Sequence, residues 1–133
     1  MDAERVLQGA MLSRLRAEPA LTAALGGPRV FDQPPEDADR PYLLMGRVET
    51  RPLRAEGPAL EHRATLTCVS RFGGSEECKA AVGAARAALD DAALALAGHR
   101  LVGMSVTYTD VFRASDFRTT FGVVRVRAVT EPA

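Results

Sequence analysis

The feature that most constrains the fold is an alanine-rich helical pattern lying between two pairs of strand patterns. Residues 72–99, FGGSEECKAAVGAARAALDDAALALAGH, have Ser75 as a possible cap, two glutamates at the positive end of the helix and Gly98 as the stop. The apolar stripe comprises Cys78, Val82, Ala85, Leu89, Ala92, Ala93 and Leu96. Because these side chains are small and share one stripe, we expect a long helix lying close against one face of a β-sheet.

Four segments have the composition or the alternation of strands. Residues 42–50 begin with apolar side chains on both faces, and in residues 63–71 successive side chains alternate between two faces. We therefore expect an antiparallel pair of strands joined by a long connection over 49–62. Residues 100–112 and 118–130 alternate as well and are joined by the loop DVFRASDFR. The sheet should therefore consist of two hairpins.

Two helices come first. Ala3, Leu7, Met11 and Leu15 lie four apart on an amphipathic helix, and PALTAALGG forms a second, short helix opened by Pro19. A short extended piece and a polar, proline-bearing loop follow. The order of elements predicts an α+β fold, with an antiparallel β-sheet, one long helix packed on a face and an N-terminal helical pair, in a single domain over residues 1–133.

The charges and the N-terminus exclude several classes of protein. The chain carries 17 basic and 17 acidic residues, so it has no net field that would attract nucleic acid or an anionic membrane. The N-terminus begins with an acid and has no uninterrupted apolar run, which predicts neither a signal peptide nor a membrane span. We expect synthesis in the cytoplasm.

The residue types that carry chemistry do not form a catalytic pattern. His62 and His99 lie at predicted element ends without a second ligand at metal spacing, so both should lie on the surface. Asp90 and Asp91 are neighbours on a predicted helix, where their side chains diverge and should be solvated. Two reduced cysteines, Cys68 and Cys78, should lie in the core. We therefore predict no catalytic residue, no metal site and no cofactor, although an active site assembled in space leaves no such pattern.

Arginines concentrate near the C-terminus. Arg125 and Arg127 point to the same face of a strand, opposite two valines, and Arg113 and Arg118 lie in the preceding loop with Phe117. Three uses remain open from the residues alone: contact with single-stranded nucleic acid, a protein interface, or plain exposed charge. The candidate residues of a protein interface are Arg51, Arg54, Arg113, Phe117, Arg118, Arg125 and Arg127.

The order of these segments resembles the tail-completion, or tail-terminator, proteins of long-tailed phages and gene transfer agents. The similarity runs through LGGPRVFDQPPEDADRPYLLMG, ATLTCVSR, GGSEE, GHRLVGMSV and TTFGVVRVRAV, and so covers nearly the whole chain. The resemblance implies a structural virion protein rather than an enzyme. Its subunits would form a hexamer ring that caps the tail tube, stops polymerisation and joins the tail to the neck.

The resemblance also implies partners and a location. They are further copies of the chain, the tail tube protein and a neck or stopper protein, with DNA passing through the ring without sequence-specific recognition and with no membrane contact. The ring would assemble in the bacterial cytoplasm and then occupy the head–tail junction of the particle. The segments 49–62 and 110–119 are candidate arms. The alternative hypothesis is a small α+β enzyme or ligand-binding module with an anion pocket near Arg125, Arg127 or His62.

Overall fold

The protein has an α+β architecture, described by a computed structural model over residues 2–53 and 57–133. Within these ranges the elements are α1 (Asp2–Arg16), α2 (Pro19–Leu25), β1 (Val30–Phe31), β2 (Tyr42–Pro52), β3 (Leu60–Arg71), α3 (Ser75–Leu89), β4 (His99–Arg113) and β5 (Thr119–Pro132). The strands form a sheet in the order β1-β2-β3-β5-β4. The predicted N-terminal helical pair, the later helix on the sheet and the α+β class are confirmed.

The sheet is mixed. The pairs β2–β3, β3–β5 and β4–β5 are antiparallel, as the sequence predicts, whereas β1 pairs parallel with β2 through Leu43 and Leu44. The prediction of an antiparallel sheet therefore misses this short contact, because a two-residue strand has no alternation that a sequence pattern can reveal.

The helices cover one face of the sheet, here called the covered face; the other is the open face. On the strands, Leu43, Leu66 and Val124 are completely buried on the covered face, in the same core as residues of all three helices. Gly122 permits the close approach of α3, because a Cβ at this position would lie 2.6 Å from Val82 Cγ2 and 2.7 Å from Cys78 Sγ. Small side chains thus set the distance between helix and sheet, as the alanine-rich stripe predicts.

Helix α3 ends earlier than predicted. It stops at Leu89 rather than near Gly98, because Asp91 takes a left-handed backbone conformation with φ of 57°. Asp91 N–H donates to the Met104 carbonyl at 2.9 Å, and Asp90 Oδ1 accepts the Val106 N–H at 2.9 Å. The predicted helical continuation was therefore wrong. Both acids are exposed, as predicted, but Asp90 through its side chain and Asp91 through its backbone also bond to strand β4.

Half of each predicted arm is strand. Of the 49–62 connection, residues 49–52 belong to β2 and 60–62 to β3, and Leu53 N–H bonds to the Ala59 carbonyl at 3.0 Å. Of the 110–119 loop, only 114–118 form the turn, which is closed by Ala114 N–H and the Thr119 carbonyl at 2.9 Å. Prolines and charged residues suggested loops, but both hairpins keep their pairing because those residues lie at the sheet edge or on its open face.

Each helix in the described ranges is too short or too polar to span a lipid bilayer.

Candidate interaction surfaces on the open face

The predicted site residues fall into two groups at opposite ends of β5. Arg51, Arg125 and Arg127 lie on the open face towards the β2–β3 hairpin. The other group, Arg113, Phe117 and Arg118, lies in and beside the β4–β5 turn. Arg54 is outside the described residues. The structure therefore offers two candidate surfaces rather than one.

The first surface is organised by a carboxylate that the sequence analysis did not single out. Arg127 Nε donates to Glu61 Oε2 at 2.6 Å, Arg63 Nε lies 3.4 Å from Glu61 Oε1, and Arg51 Nε lies 4.0 Å from the same oxygen. The Glu61 side chain is only 10% exposed. Hydrogen bonds from Arg127 and then Arg63 hold the pKa of Glu61 below its ordinary value.

Cross-strand pairing explains why Glu61 is needed. Arg63 and Arg127 are direct partners on β3 and β5, and like charges in that position destabilise a sheet unless a counter-charge lies between them. The two-residue spacing of Glu61 and Arg63 places both side chains on one strand face. That spacing was the available signal for the cluster, here called the Glu61 cluster: Arg51, Glu61, Arg63 and Arg127.

Arg125 lies beside this cluster and stacks on an aromatic ring. Its guanidinium carbon is 4.8 Å from the centre of the Tyr108 ring, and the Tyr108 hydroxyl donates to Asp110 Oδ2 at 3.1 Å. That hydrogen bond raises the pKa of Tyr108. A cavity of about 300 Å³ separates Arg125 from the Glu61 cluster, and its walls include Arg63, Arg127, Glu49 and Thr107. The guanidinium groups are thus held by a carboxylate or a ring before any partner arrives.

The second surface is a preformed turn with a projecting aromatic side chain. Asp116 Oδ1 accepts the backbone N–H groups of Arg118 at 2.8 Å and Thr119 at 3.2 Å, and the Arg118 bond is the main reason that the pKa of Asp116 is lowered. Phe117 has a φ of 57° and is 74% exposed. The Arg113 guanidinium carbon lies 5.0 Å from the centre of the Phe72 ring.

Exposed apolar side chains concentrate on the β4 side of the molecule. Val102, Tyr108 and Phe112 lie on β4, and Phe117 follows in the turn. Phe112 also contacts Phe121 on the open face, with ring centres 5.9 Å apart. Aromatic and arginine side chains on one surface are typical of protein interfaces.

His62 is not on the surface. It is 1% exposed on the covered face, where its Nδ1 lies 2.9 Å from Thr50 Oγ1 and its Nε2 lies 2.8 Å from Thr130 Oγ1. Burial lowers the pKa of His62. The prediction of a solvated histidine was wrong, because the pairing of β2 with β3 continues past the predicted loop and carries His62 into the core. His99 is half-buried.

Within the described residues, no three His, Cys, Asp or Glu side chains are grouped in a way that would hold a metal ion. Cys68 and Cys78 are buried and are not joined by a disulfide, as predicted. A hydrogen bond between the two thiols raises the pKa of Cys68 and lowers that of Cys78.

Comparisons with known proteins agree with these features. No curated protein matches the sequence. A chain of a solved structure described as the virion of a native gene transfer agent (GTA) particle superimposes with a TM-score of 0.87, at 25% sequence identity and over 96% of both chains. The family model for tail completion protein gp17 matches residues 9–131. These matches confirm the resemblance found in the sequence, and the chain belongs to the tail completion protein gp17 family.

Proposed function

We propose that this protein forms a ring of six copies that caps the tail tube of a phage or gene transfer agent particle. The ring would stop polymerisation of the tube and join the tail to the neck. The observation that carries the proposal is the match over 96% of the length to a chain of a gene transfer agent virion, together with membership of a tail completion family. The family supports a structural role in the tail; the ring and the capping of the tube are the proposed steps.

The arrangement of charges supports a structural role. Arg127 is held by Glu61 and Arg125 by Tyr108, while His62 is buried, so the three side chains of the alternative anion pocket already have partners in the fold. Groups that are paired in advance present a fixed surface to another protein. We infer that the protein is not an enzyme.

The proposed partners follow from the same role. They are neighbouring copies, the tail tube protein and a neck or stopper protein, and the contact residues are Arg51, Arg113, Phe117, Arg118, Arg125 and Arg127. DNA would pass through the ring without being gripped, since the chain is neutral overall and the Glu61 cluster contains its own carboxylate. Assembly in the bacterial cytoplasm would precede incorporation at the head–tail junction.

Electron microscopy of particles from a deletion strain tests the function. Loss of the protein should give tails of uncontrolled length or tails separated from heads. The control is the same strain carrying the intact gene on a plasmid, which should restore joined particles. Tails of normal length that remain firmly attached to heads in the deletion strain would contradict the proposal.

A further inference from the structure

Strand β4 has a free backbone edge that the sheet does not use. Ala114 N–H donates to the Thr119 carbonyl, so Ala114 faces β5, and the alternation of an antiparallel ladder then turns the backbone groups of Arg113, Val111 and Thr109 away from β5. Within the described residues, no strand pairs with β4 on that outer side. An open edge of this kind is a template for another strand.

The middle of the β4 edge is blocked. Asp91 N–H bonds to the Met104 carbonyl and Asp90 Oδ1 to the Val106 N–H, so these outward groups are already satisfied. The edge is thus blocked at Met104 and Val106 and free from Thr109 to Arg113.

The opposite edge of the sheet has a matching free stretch. Strand β1 pairs only with Leu43 and Leu44 of β2. Because Leu53 N–H bonds to the Ala59 carbonyl, Leu53 faces β3, and the outward positions before it are Pro52, Thr50 and Val48. Pro52 has no N–H and ends this stretch.

We propose that the free edge of β4 binds the free edge of β2 in the next copy of this chain. The inference rests on the proposed ring and specifies how its subunits join. Strand β4 runs opposite to β2, since three antiparallel pairings separate them. Copies related by rotation about a ring axis keep their strand directions, so β4 meets the neighbouring β2 in antiparallel orientation. The two edges differ, as a head-to-tail ring requires.

One register satisfies the outward groups on both edges. It pairs Thr109 with Thr50 of the next copy and Val111 with its Val48. Within one copy, Thr109 pairs with Val124 of β5, which pairs with Leu66 of β3, whereas Thr50 pairs with His62 of β3. Because Leu66 and His62 are four residues apart, pairing Thr109 with Thr50 shifts neighbouring copies by four residues along the strands. The offset places β1 of the next copy just beyond Arg113 and its Pro52 beside the blocked middle of β4. Pro52, which has no N–H, therefore lies near the backbone groups of β4 that Asp90 and Asp91 already bind. The free backbone groups of the two edges then lie opposite each other.

This offset is the one expected for a closed sheet. Each copy contributes four strands between its β2 edge and its β4 edge, so the stagger is one residue per strand. Eight-stranded barrels have the same ratio of stagger to strand number. With strands about 4.8 Å apart and about 3.4 Å per residue, the strands tilt by about 35°. Six copies then close a backbone ring of about 45 Å diameter, which is wide enough for duplex DNA.

Charges beside the two edges are complementary. Lys79 and Arg86 of α3 line a groove of about 380 Å³ along the β4 edge, where Gly83 leaves space. At the β2 edge, the carboxylate of Glu4 accepts the Thr50 hydroxyl at 2.7 Å, on the same covered side of the sheet. Across the open side, the same register places Asp110 of β4 opposite Glu49 of the next copy and Tyr108 opposite its Arg51. Arg51 lies 3.9 Å from Glu49 Oε2 and diagonal to Asp110, so it lies beside both carboxylates. The charges are therefore complementary on the covered face, and Arg51 offsets the two acids on the open face.

Cysteine crosslinking in assembled particles tests the contact directly. The variant Thr50→Cys with Thr109→Cys should give a ladder of disulfide-linked species up to the hexamer, because paired residues on adjacent strands lie within disulfide distance. Val48→Cys with Val111→Cys is a second pair that leaves the Thr50 hydrogen bonds intact. Each single variant should give no ladder. A dimer from Thr109→Cys alone would show a symmetric β4–β4 contact and overturn the proposal.

A backbone variant provides an independent readout. Thr109→Pro removes an outward N–H without breaking a bond to β5, so circular dichroism of the purified protein should match the wild type while the yield of joined particles falls about tenfold or more. Thr109→Val keeps the N–H and should assemble normally. Two results would overturn the edge contact. One is a wild-type yield of joined particles with Thr109→Pro, and the other is the absence of a disulfide ladder when both cysteine-pair variants assemble into joined particles. The proposed function would still stand in that case, because it is tested separately by electron microscopy of the deletion strain.

Discussion

The two faces of the sheet are built from neighbouring residues of the same strands, yet they depend on different interactions. On the covered face, Leu43 and Val124 are completely enclosed, and a missing Cβ at Gly122 sets the position of α3. On the open face, the arginines of the Glu61 cluster pair with a carboxylate, and Arg125 stacks on the ring of Tyr108. The covered face therefore tolerates little change in shape, whereas the open face keeps its geometry through paired polar groups and remains available to a partner.

Two adjacent leucines of β2 compare the faces directly. Leu43→Ala should lower the free energy of unfolding by about 2–5 kcal/mol, because Leu43 is fully buried and its loss leaves a cavity. Leu44→Ala, on the open face, should cost less than half as much, because Leu44 is only half-buried. Urea denaturation of both variants measures the difference. Equal losses would mean that the open face is as tightly packed as the covered one.

A pair of glycines tests the shape constraint in the opposite direction. Gly122→Ala should destabilise the protein by about 1–3 kcal/mol, because the new methyl group would overlap Val82 and Cys78. Gly83→Ala, on the exposed side of α3 with nothing within 4 Å of the new Cβ, should stabilise it by about 0.5–1 kcal/mol. Thermal unfolding of both variants gives the two signs. A neutral Gly122→Ala would show that α3 moves away freely.

The buried histidine predicts a pH dependence of stability on the covered face. Burial lowers the pKa of His62 in the folded state below the unfolded value of 6.5, an effect that Glu4 opposes and His99 reinforces. Protonation then favours the unfolded chain, so stability is full above about pH 6.5 and falls as pH drops towards the folded pKa.

His62→Gln, which does not titrate, is the matched variant for that measurement. Thermal unfolding between pH 7.5 and 5 should show a smaller loss of stability for the variant than for the wild type. The same slope in both proteins would mean that His62 is not the group responsible.

The smallest effect is expected from the open face. Glu61→Gln leaves Arg63 and Arg127 opposite each other without a counter-charge, so the melting temperature should fall, and added salt should reduce the difference from the wild type. Because the pKa of Glu61 is lowered, its contribution is present above the ordinary value of 4.5 and is lost as pH falls below it. A melting temperature that does not respond to the substitution would show that the cluster acts in assembly alone.

The sequence was sufficient for the elements that depend on periodicity. The N-terminal helices, the antiparallel pairs and the alanine-lined contact of α3 with the sheet all follow from the spacing of apolar residues. Asp91 shows where that reasoning fails, because the pattern of Ala92 and Leu96 continues a helical stripe although the backbone has already turned. Only the tertiary bonds of Asp90 and Asp91 to β4 reveal the change.

The candidate interface was only partly predictable. Arg125 and Arg127 were placed on the correct face by alternation, but Glu61, the group that organises the first surface, lay inside a predicted loop. His62 was assigned to the surface for the same reason. Both errors come from reading Pro52 and the charges around it as the end of a strand, when a proline at an outward edge position leaves the pairing with β3 unbroken.

The two aspartates that block the middle of the β4 edge also limit how strongly a single pair of molecules can hold together. Only a few backbone groups are left free, and each hydrogen bond contributes about 1 kcal/mol net in water, which is little against the entropy lost when two molecules associate. A dimer in dilute solution should therefore be short-lived. The last contact that closes the ring adds hydrogen bonds without a further loss of translational and rotational entropy, so the complete ring should form in one concerted step. It should form most readily where an existing circular surface holds the copies together.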